Sequence, residues 1–133
     1  MTILDAIKAV QDLVGALTGI KSAPDYPGGG VFPIAIAHLS TGTITPGNPT
    51  GARLELHNLA VELHIIDDGS LGDAFVILET LHALIVPALT ADTTLTGTIQ
   101  TYANLTYSTS RTSWYGSPTL VRVYVLNNCK LIV

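Results

Sequence analysis

The sequence has little charge, one cysteine and no long apolar run. Asp, Glu, Lys and Arg make up 12% of the 133 residues, about half of the roughly 25% that is usual in soluble domains. The single cysteine, Cys129, excludes an intrachain disulfide, so we expect an intracellular protein in which Cys129 packs as a small apolar side chain. No run approaches the ~20 apolar residues of a membrane span. These absences exclude a disulfide scaffold and argue against a membrane protein.

There is nevertheless enough apolar material for one core. Hydrophobic residues make up 47% of the chain, and the mean hydropathy is +0.45. The length of 133 residues predicts a single domain over residues 1–133. A surface this poor in charge is unusual for a protein that stays monomeric. We therefore expect other subunits to cover much of it.

The net charge of −4 argues against a protein that reads nucleic acid. Such proteins carry basic patches, whereas the cationic residues here are scattered along the chain. They are Lys8, Lys21, Arg53, Arg111, Arg122 and Lys130. A weakly acidic protein can still lie beside DNA without binding it, because phosphate contacts require cationic side chains.

The first segment has the apolar spacing of an amphipathic helix over residues 2–18. Thr2 and Asp5 can form a capping-box pair at its start, and Gly19 is a natural stop. The apolar face repeats every three or four positions. Its residues are Ile3, Ile7, Val10, Val14 and Leu17.

Two strands are predicted next, over residues 31–38 and 53–66. Between them, residues 41–52 contain no charge and are rich in Thr, Gly and Pro, which indicates a flexible or extended arm. The apolar alternation of the second strand changes parity at Asn58, which predicts a β-bulge near His57 and Asn58. The strand exceeds the usual length, so part of it should project or pair with a neighbour.

The first half of that second strand places apolar residues at Leu54 and Leu56. We expect Leu56 to be buried in the core. On this interpretation Leu56→Asp would unfold the chain, because it would bury an unpaired charge.

A second helix is predicted to begin after Ser70, with Asp73 as its capping partner. Pro87 should end or kink this helix. A Thr- and Tyr-rich strand is expected over residues 95–107, and a polar connection over residues 108–118. A closing strand over residues 120–126 should bulge at the next two positions, Asn127 and Asn128, before the apolar end of the chain.

The predicted fold class is therefore α+β, with the order α-β-β-α-β-β. The two β-β pairs suit hairpins, so we expect a mostly antiparallel four-stranded sheet. The two helices should pack on one face of it.

No motif in the sequence supports catalysis or cofactor binding. There is no Gly-x-Ser-x-Gly, Walker or Gly-x-Gly-x-x-Gly pattern. Glu79 and His82 have the Glu-x-x-His spacing of carboxylate metal sites, but such sites need two of these motifs. His57 and His64 are too far apart along a strand to share a metal. We expect no catalytic, cofactor-binding or metal-binding residues and no enzyme.

Exposed strands and the aromatic loop at Trp114 and Tyr115 favour contacts with a subunit or partner. The candidate positions come from the charge-free arm, the third strand and this loop. They are Ile44, Thr45, Thr98, Gln100, Tyr102, Arg111, Trp114 and Tyr115.

Several local features carry a resemblance to a known family. The N-terminal helix runs into the Pro-rich loop 23–27, and the long strand enters the second helix through residues 68–74. Residues 91–98 lead into the third strand, and a Tyr-containing loop precedes the last apolar strand. Together with the α-β-β-α-β-β order, this resembles the tail terminator proteins of long-tailed bacteriophages, also called tail completion or minor tail proteins.

The resemblance implies a structural virion protein of the tail or neck, assembled in the host cytoplasm. Six copies would form a ring on the last ring of tail tube protein and stop tube growth. The other face of this homo-hexamer would meet a head-completion or neck protein. DNA would pass through the central channel without specific binding, because an acidic lumen repels it.

Two alternatives remain open at this point. One is another head–tail joining or neck protein with a similar build. The other is a non-phage oligomeric binding module that associates through exposed sheet edges. Assembly size would discriminate between these classes.

Overall fold

A computed structural model describes residues 2–24, 30–47 and 51–132. The described residues form two helices and four strands, and the strands form one antiparallel sheet in the order β1-β2-β4-β3. This confirms the predicted α+β fold and element order. The elements are α1 (Ile3–Gly15), β1 (Ile34–Thr45), β2 (Leu54–Ile66), α2 (Leu71–Thr90), β3 (Asn104–Trp114) and β4 (Ser117–Ile132).

Both helices pack on the same face of the sheet. Ala6, Val10 and Val14 of α1 share one buried cluster with Leu78 and Ile85 of α2. The sheet contributes alternate residues of its two central strands to the same cluster. These are Leu59, Val61, Leu63 and Ile65 of β2, and Leu120, Tyr124 and Leu126 of β4.

The start of α1 is fixed as the sequence predicts. The Thr2 backbone N–H donates to Asp5 Oδ2 at 2.7 Å, which satisfies one donor at the helix start. The helix ends at Gly15, three residues before the predicted end. Residues 16–19 form turns, and Gly19 has a φ of 98° that suits glycine.

Asn58 lies at the point where the sheet is irregular on both sides. The register slips at Ser40 of β1 and between Leu126 and Cys129 of β4, each opposite Asn58. The predicted bulges near Asn58 and at Asn127 and Asn128 are therefore confirmed in position, although the first has its extra residue on β1. Asn58 binds both bulges, because its Nδ2 donates to Thr41 Oγ1 at 2.6 Å and its Oδ1 accepts from the Asn128 N–H at 3.0 Å.

The apolar residues of β2 before Asn58 lie on the opposite face of the sheet from those after it. Glu55 and His57 pair with Leu131 and Cys129, which belong to the core cluster, so these polar side chains lie on the helix side. Leu56 therefore lies on the opposite face and outside the core cluster. The expectation that Leu56 is a core residue is wrong, because the extra residues of both bulges lie on β1 and β4. β2 therefore keeps its own alternation through Asn58, and Leu56 faces away from the helices.

The first strand is displaced from its predicted position. It begins at Ile34 and continues to Thr45, so the first five residues of the predicted arm 41–52 belong to β1. They pair with β2, from Leu54 to Asn58. Residues 48–50 of the predicted arm lie outside the described residues.

Pro87 lies inside α2, which continues to Thr90. Of the two predicted effects of Pro87, an end or a kink of the helix, the first is wrong. A proline here removes one N–H from the last helical turn only, and the Pro87 carbonyl still accepts from the Ala91 N–H at 2.9 Å.

The third strand is also displaced. Residues 95–100 form turns, because Asp92 binds the backbone N–H groups of Thr94 and Thr96, each at 2.9 Å. The predicted polar connection 108–118 is mostly strand. A two-residue turn at Tyr115 and Gly116, with φ values of 51° and 79°, joins β3 to β4.

Candidate subunit interfaces

The candidate contact residues fall into three regions of the structure. Ile44 and Thr45 lie at the exposed end of β1, where Ile44 is 59% exposed. Arg111 and Trp114 lie on β3, and Tyr115 in the adjoining turn is 72% exposed. The third region is the long turn that precedes β3.

The third region corrects two of the candidates. Tyr102 is buried and its hydroxyl donates to the Leu89 carbonyl at 2.6 Å, closing the core beneath the turn. Burial raises the pKa of this hydroxyl. Thr98 is also buried, and donates to the Leu95 carbonyl at 2.7 Å. Only Gln100 of this group is exposed, so Thr98 and Tyr102 do not offer side chains to a partner.

The outer face of α2 is an exposed apolar surface that the sequence analysis did not identify. Phe75, Val76, Ile77 and Leu84 are each at least 40% exposed, and Val76 reaches 67%. Shallow grooves of about 450 and 290 Å³ flank Val76. We call these four side chains the α2 outer face. The helix is apolar on both sides, which is typical of a helix covered on both sides.

α2 is also long and apolar enough to cross a membrane by length and composition. Core helices pass the same test. Leu78, Leu81, Ile85 and Leu89 on its inner face are buried against the rest of the domain. The absence of a membrane partner stays a prediction.

A polar network ties α2 to the two strands beside it. Arg122 of β4 is buried, and donates to Glu79 Oε1 at 2.6 Å and to Thr109 Oγ1 at 2.8 Å. Its guanidinium lies 4.9 Å from the ring centroid of Tyr107. The Arg122 hydrogen bond lowers the pKa of Glu79. This network holds β3 against the helix.

His82 has a separate partner in the same region. Its Nδ1 lies 2.7 Å from the Tyr124 hydroxyl, and burial raises the pKa of Tyr124 to about 12. Glu79 and His82 therefore serve the packing of α2 on β4. Over residues 2–24, 30–47 and 51–132, no three His, Cys, Asp or Glu side chains are grouped as metal ligands.

A second polar cluster lies on the opposite face of the sheet. Glu62 Oε2 is 2.6 Å from His38 Nε2, and Glu62 Oε1 is 3.1 Å from His64 Nε2. His64 Nδ1 lies 2.9 Å from Thr119 Oγ1, and its ring centroid is 4.8 Å from that of Trp114. Glu62 and His64 are two positions apart, but His38 is 24 residues from Glu62 and Thr119 is 55 residues from His64, so no spacing motif could have revealed the whole cluster.

The order hydroxyl–imidazole–carboxylate at Thr119, His64 and Glu62 is that of a nucleophilic triad. Thr119 is fully buried and His64 is 1% exposed. A substrate cannot reach a hydroxyl in that position. The geometry is that of a structural hydrogen-bond network, with Trp114 packed against it.

We expect Glu62 to make the fold sensitive to acid. The hydrogen bond from His64, followed by that from His38, lowers the pKa of Glu62 below its usual 4.5. A lowered carboxyl pKa stabilises the folded state above the ordinary pKa, and the contribution is lost as pH falls through the lowered value. In urea unfolding, Glu62→Gln should therefore be less stable than wild type at pH 7, and the difference should shrink by pH 3. An equal difference at both pH values would contradict this role.

No protein-family model matches the chain, and no curated protein matches it.

Proposed function

We propose that this protein is a structural subunit of a bacteriophage tail, of the tail terminator type. Six copies form a ring that caps the tail tube, stops its growth and joins it to a head-completion or neck protein. The observation that carries the proposal is the α2 outer face, because a lone domain would leave this apolar surface in water. A ring subunit covers such a surface with a neighbour or with the tube.

The sheet adds a second reason to expect an assembly. Its outer strands are β1 and β3, and nine of the eleven β3 residues are exposed. Long exposed edge strands pair readily with other chains. A protein with 12% charged residues also has few charges to keep copies apart.

The charge of the chain fits a passage for DNA. A net charge of −4 per subunit gives the ring an acidic character, and an acidic channel repels phosphate and so leaves DNA free to move. The protein would lie in the tail or neck of the virion.

The exposed sheet edges also support a second candidate, an oligomeric binding module outside phages. Another head–tail joining protein would have the same kind of surfaces. These candidates differ in the partner that they bind, and a tube-capping experiment separates them.

The capping experiment mixes the purified chain with tail tube protein while the tube polymerises. We expect electron microscopy to show shorter tubes with an added ring at one end, because a terminator stops elongation. The control is the same reaction without the chain. Tubes of unchanged length with bare ends would contradict the proposal, and binding to the head-completion protein alone would favour the neck protein.

A further inference from the structure

The backbone of β3 has outward-facing hydrogen-bond groups at alternate residues. The Asp67 N–H donates to the Pro118 carbonyl at 2.9 Å, so the backbone groups of Pro118 point toward β2. Backbone groups alternate along an antiparallel strand, so the even-numbered residues of β4 up to 126 direct theirs to β2 and the odd-numbered residues direct theirs to β3. Through the register of β3 with β4, the even residues of β3 bind β4. The odd residues from 105 direct their N–H and C=O groups away from the sheet. These residues are Leu105, Tyr107, Thr109, Arg111 and Ser113.

The same counting applies to the other edge of the sheet. The even-numbered residues of β2 direct their backbone groups to β1, where they pair with Ile34 and Ile36. The backbone groups of Ala35, between these two, therefore point away from the sheet, and the Ala35 N–H donates to the Ser22 carbonyl at 2.9 Å. Ser22 covers the beginning of this edge. Residues 39–45 are exposed. Their outward-facing backbone groups belong to Leu39, Gly42 and Ile44.

The two edges run in opposite directions. Each neighbouring pair in the order β1-β2-β4-β3 is antiparallel, so β3 runs opposite to β1. A second copy placed in the same orientation would continue the sheet with an antiparallel β3–β1 pair. We propose that residues 39–45 of one copy pair with β3 of the next copy and form the joint between subunits. This inference rests on the proposed ring and names how its subunits connect.

A second copy is the partner that these edges fit. Residues 39–45 carry no charge, and the single charged residue of β3, Arg111, already binds Asp67 at 2.9 Å. When residues 39–45 of one copy pair with β3 of the next copy, no unpaired like charges therefore come together. The two halves of the joint differ, so each copy has one of each to offer. Such a head-to-tail contact does not make a self-complementary two-fold dimer, and its repetition makes a ring when the rotation between copies closes, as the proposed function requires. Residues 39–45 of β1 lie level with the end of β4, whereas β3 pairs with the first part of β4. Pairing the two edges therefore shifts each copy along the strand direction, so the strands would be inclined to the ring axis.

A proline at an outward-facing position tests the joint. Thr109→Pro removes an N–H that faces away from β4, so it should block pairing with a neighbour. We expect its dissociation concentration to rise at least about tenfold, through a lost interchain hydrogen bond and a steric block. Thr109→Val is the matched control, because it also removes the hydroxyl that Arg122 binds but keeps the N–H. Ser108→Pro should instead lower the melting temperature, because the Ser108 N–H binds β4.

Hydrogen exchange on the wild-type protein gives a second test that needs no variant. Assembled protein is exchanged, quenched, dissolved and read by NMR, and compared with dilute single chains. The joint predicts that the amides of Tyr107, Thr109 and Arg111 gain protection on assembly, while that of Ser108 is protected in both states. Assembly with fast exchange at the three outward positions overturns the joint and leaves the ring standing. Normal assembly of Thr109→Pro does the same. A wild-type chain that never assembles overturns both.

Discussion

Val76→Asp should leave the fold intact and strongly weaken assembly. Val76 is 67% exposed at the centre of the α2 outer face, so the new carboxylate is solvated in the single chain and the melting temperature should change by no more than about 2 °C. In an assembly that covers this face, the same carboxylate would be buried without a partner, which costs several kcal/mol. We expect the Val76→Asp assembly to dissociate at a protein concentration at least about 100-fold higher than the wild-type assembly does, which is equivalent to about 3 kcal/mol.

Thr93→Asp is the control for this experiment. Thr93 is exposed in the turn after α2 and lies outside the α2 outer face, so it adds the same charge without burying it. Light scattering and the tube-capping assay measure both variants. If Val76→Asp forms assemblies of wild-type size and caps tubes like wild type, the α2 outer face is not a contact surface.

Leu63→Asp should unfold the chain, whereas Leu56→Asp should not. Both residues lie on β2, but Leu63 is fully buried in the core cluster and Leu56 is on the opposite face. A carboxylate at Leu63 has no partner and removes a large apolar side chain, which costs more than about 5 kcal/mol. That is comparable to the whole stability of a small domain. For Leu56→Asp we expect a loss of about 1–2 kcal/mol.

Circular dichroism melting and urea unfolding compare the two variants. Leu63→Asp should show no cooperative transition, and Leu56→Asp should show one at a slightly lower temperature. An equal loss of stability in the two variants would mean that Leu56 and Leu63 lie on the same, buried face of β2.

The parts of the fold that the sequence predicts well are those with a local physical signal. The amphipathic spacing and the Thr2–Asp5 pair identify α1. The change of apolar parity on β2 locates the irregularity at Asn58. In these places, local preference and tertiary packing agree, so pattern reasoning is sufficient.

The region from the end of α2 to β3 could not be predicted in the same way. Threonine favours strands, but Asp92 binds the backbone of Thr94 and Thr96 and turns the chain there. β3 is an edge strand in which nine of eleven residues are exposed, so its sequence is mostly polar, lacks a regular apolar alternation and resembles a loop. The later pairing with β4 decides that it is a strand.

The candidate site was predicted only in part, for a related reason. Ile44 and Tyr115 are exposed as expected, whereas Tyr102 is buried. The α2 outer face escaped detection because apolar residues lie on both sides of α2, so no continuous polar face marks the solvent side. Arg122 and Glu79 are 43 residues apart, so only the folded chain shows that they meet.

The molar mass of the purified protein, measured by light scattering from dilute to near-millimolar concentration, tests the central claim most directly. The ring predicts that the mass rises to six times the chain mass of 14.0 kDa and then stays constant. A head-to-tail joint allows no stop at two copies. A mass that stays at 14.0 kDa throughout, or that stops at twice that value, would contradict the account.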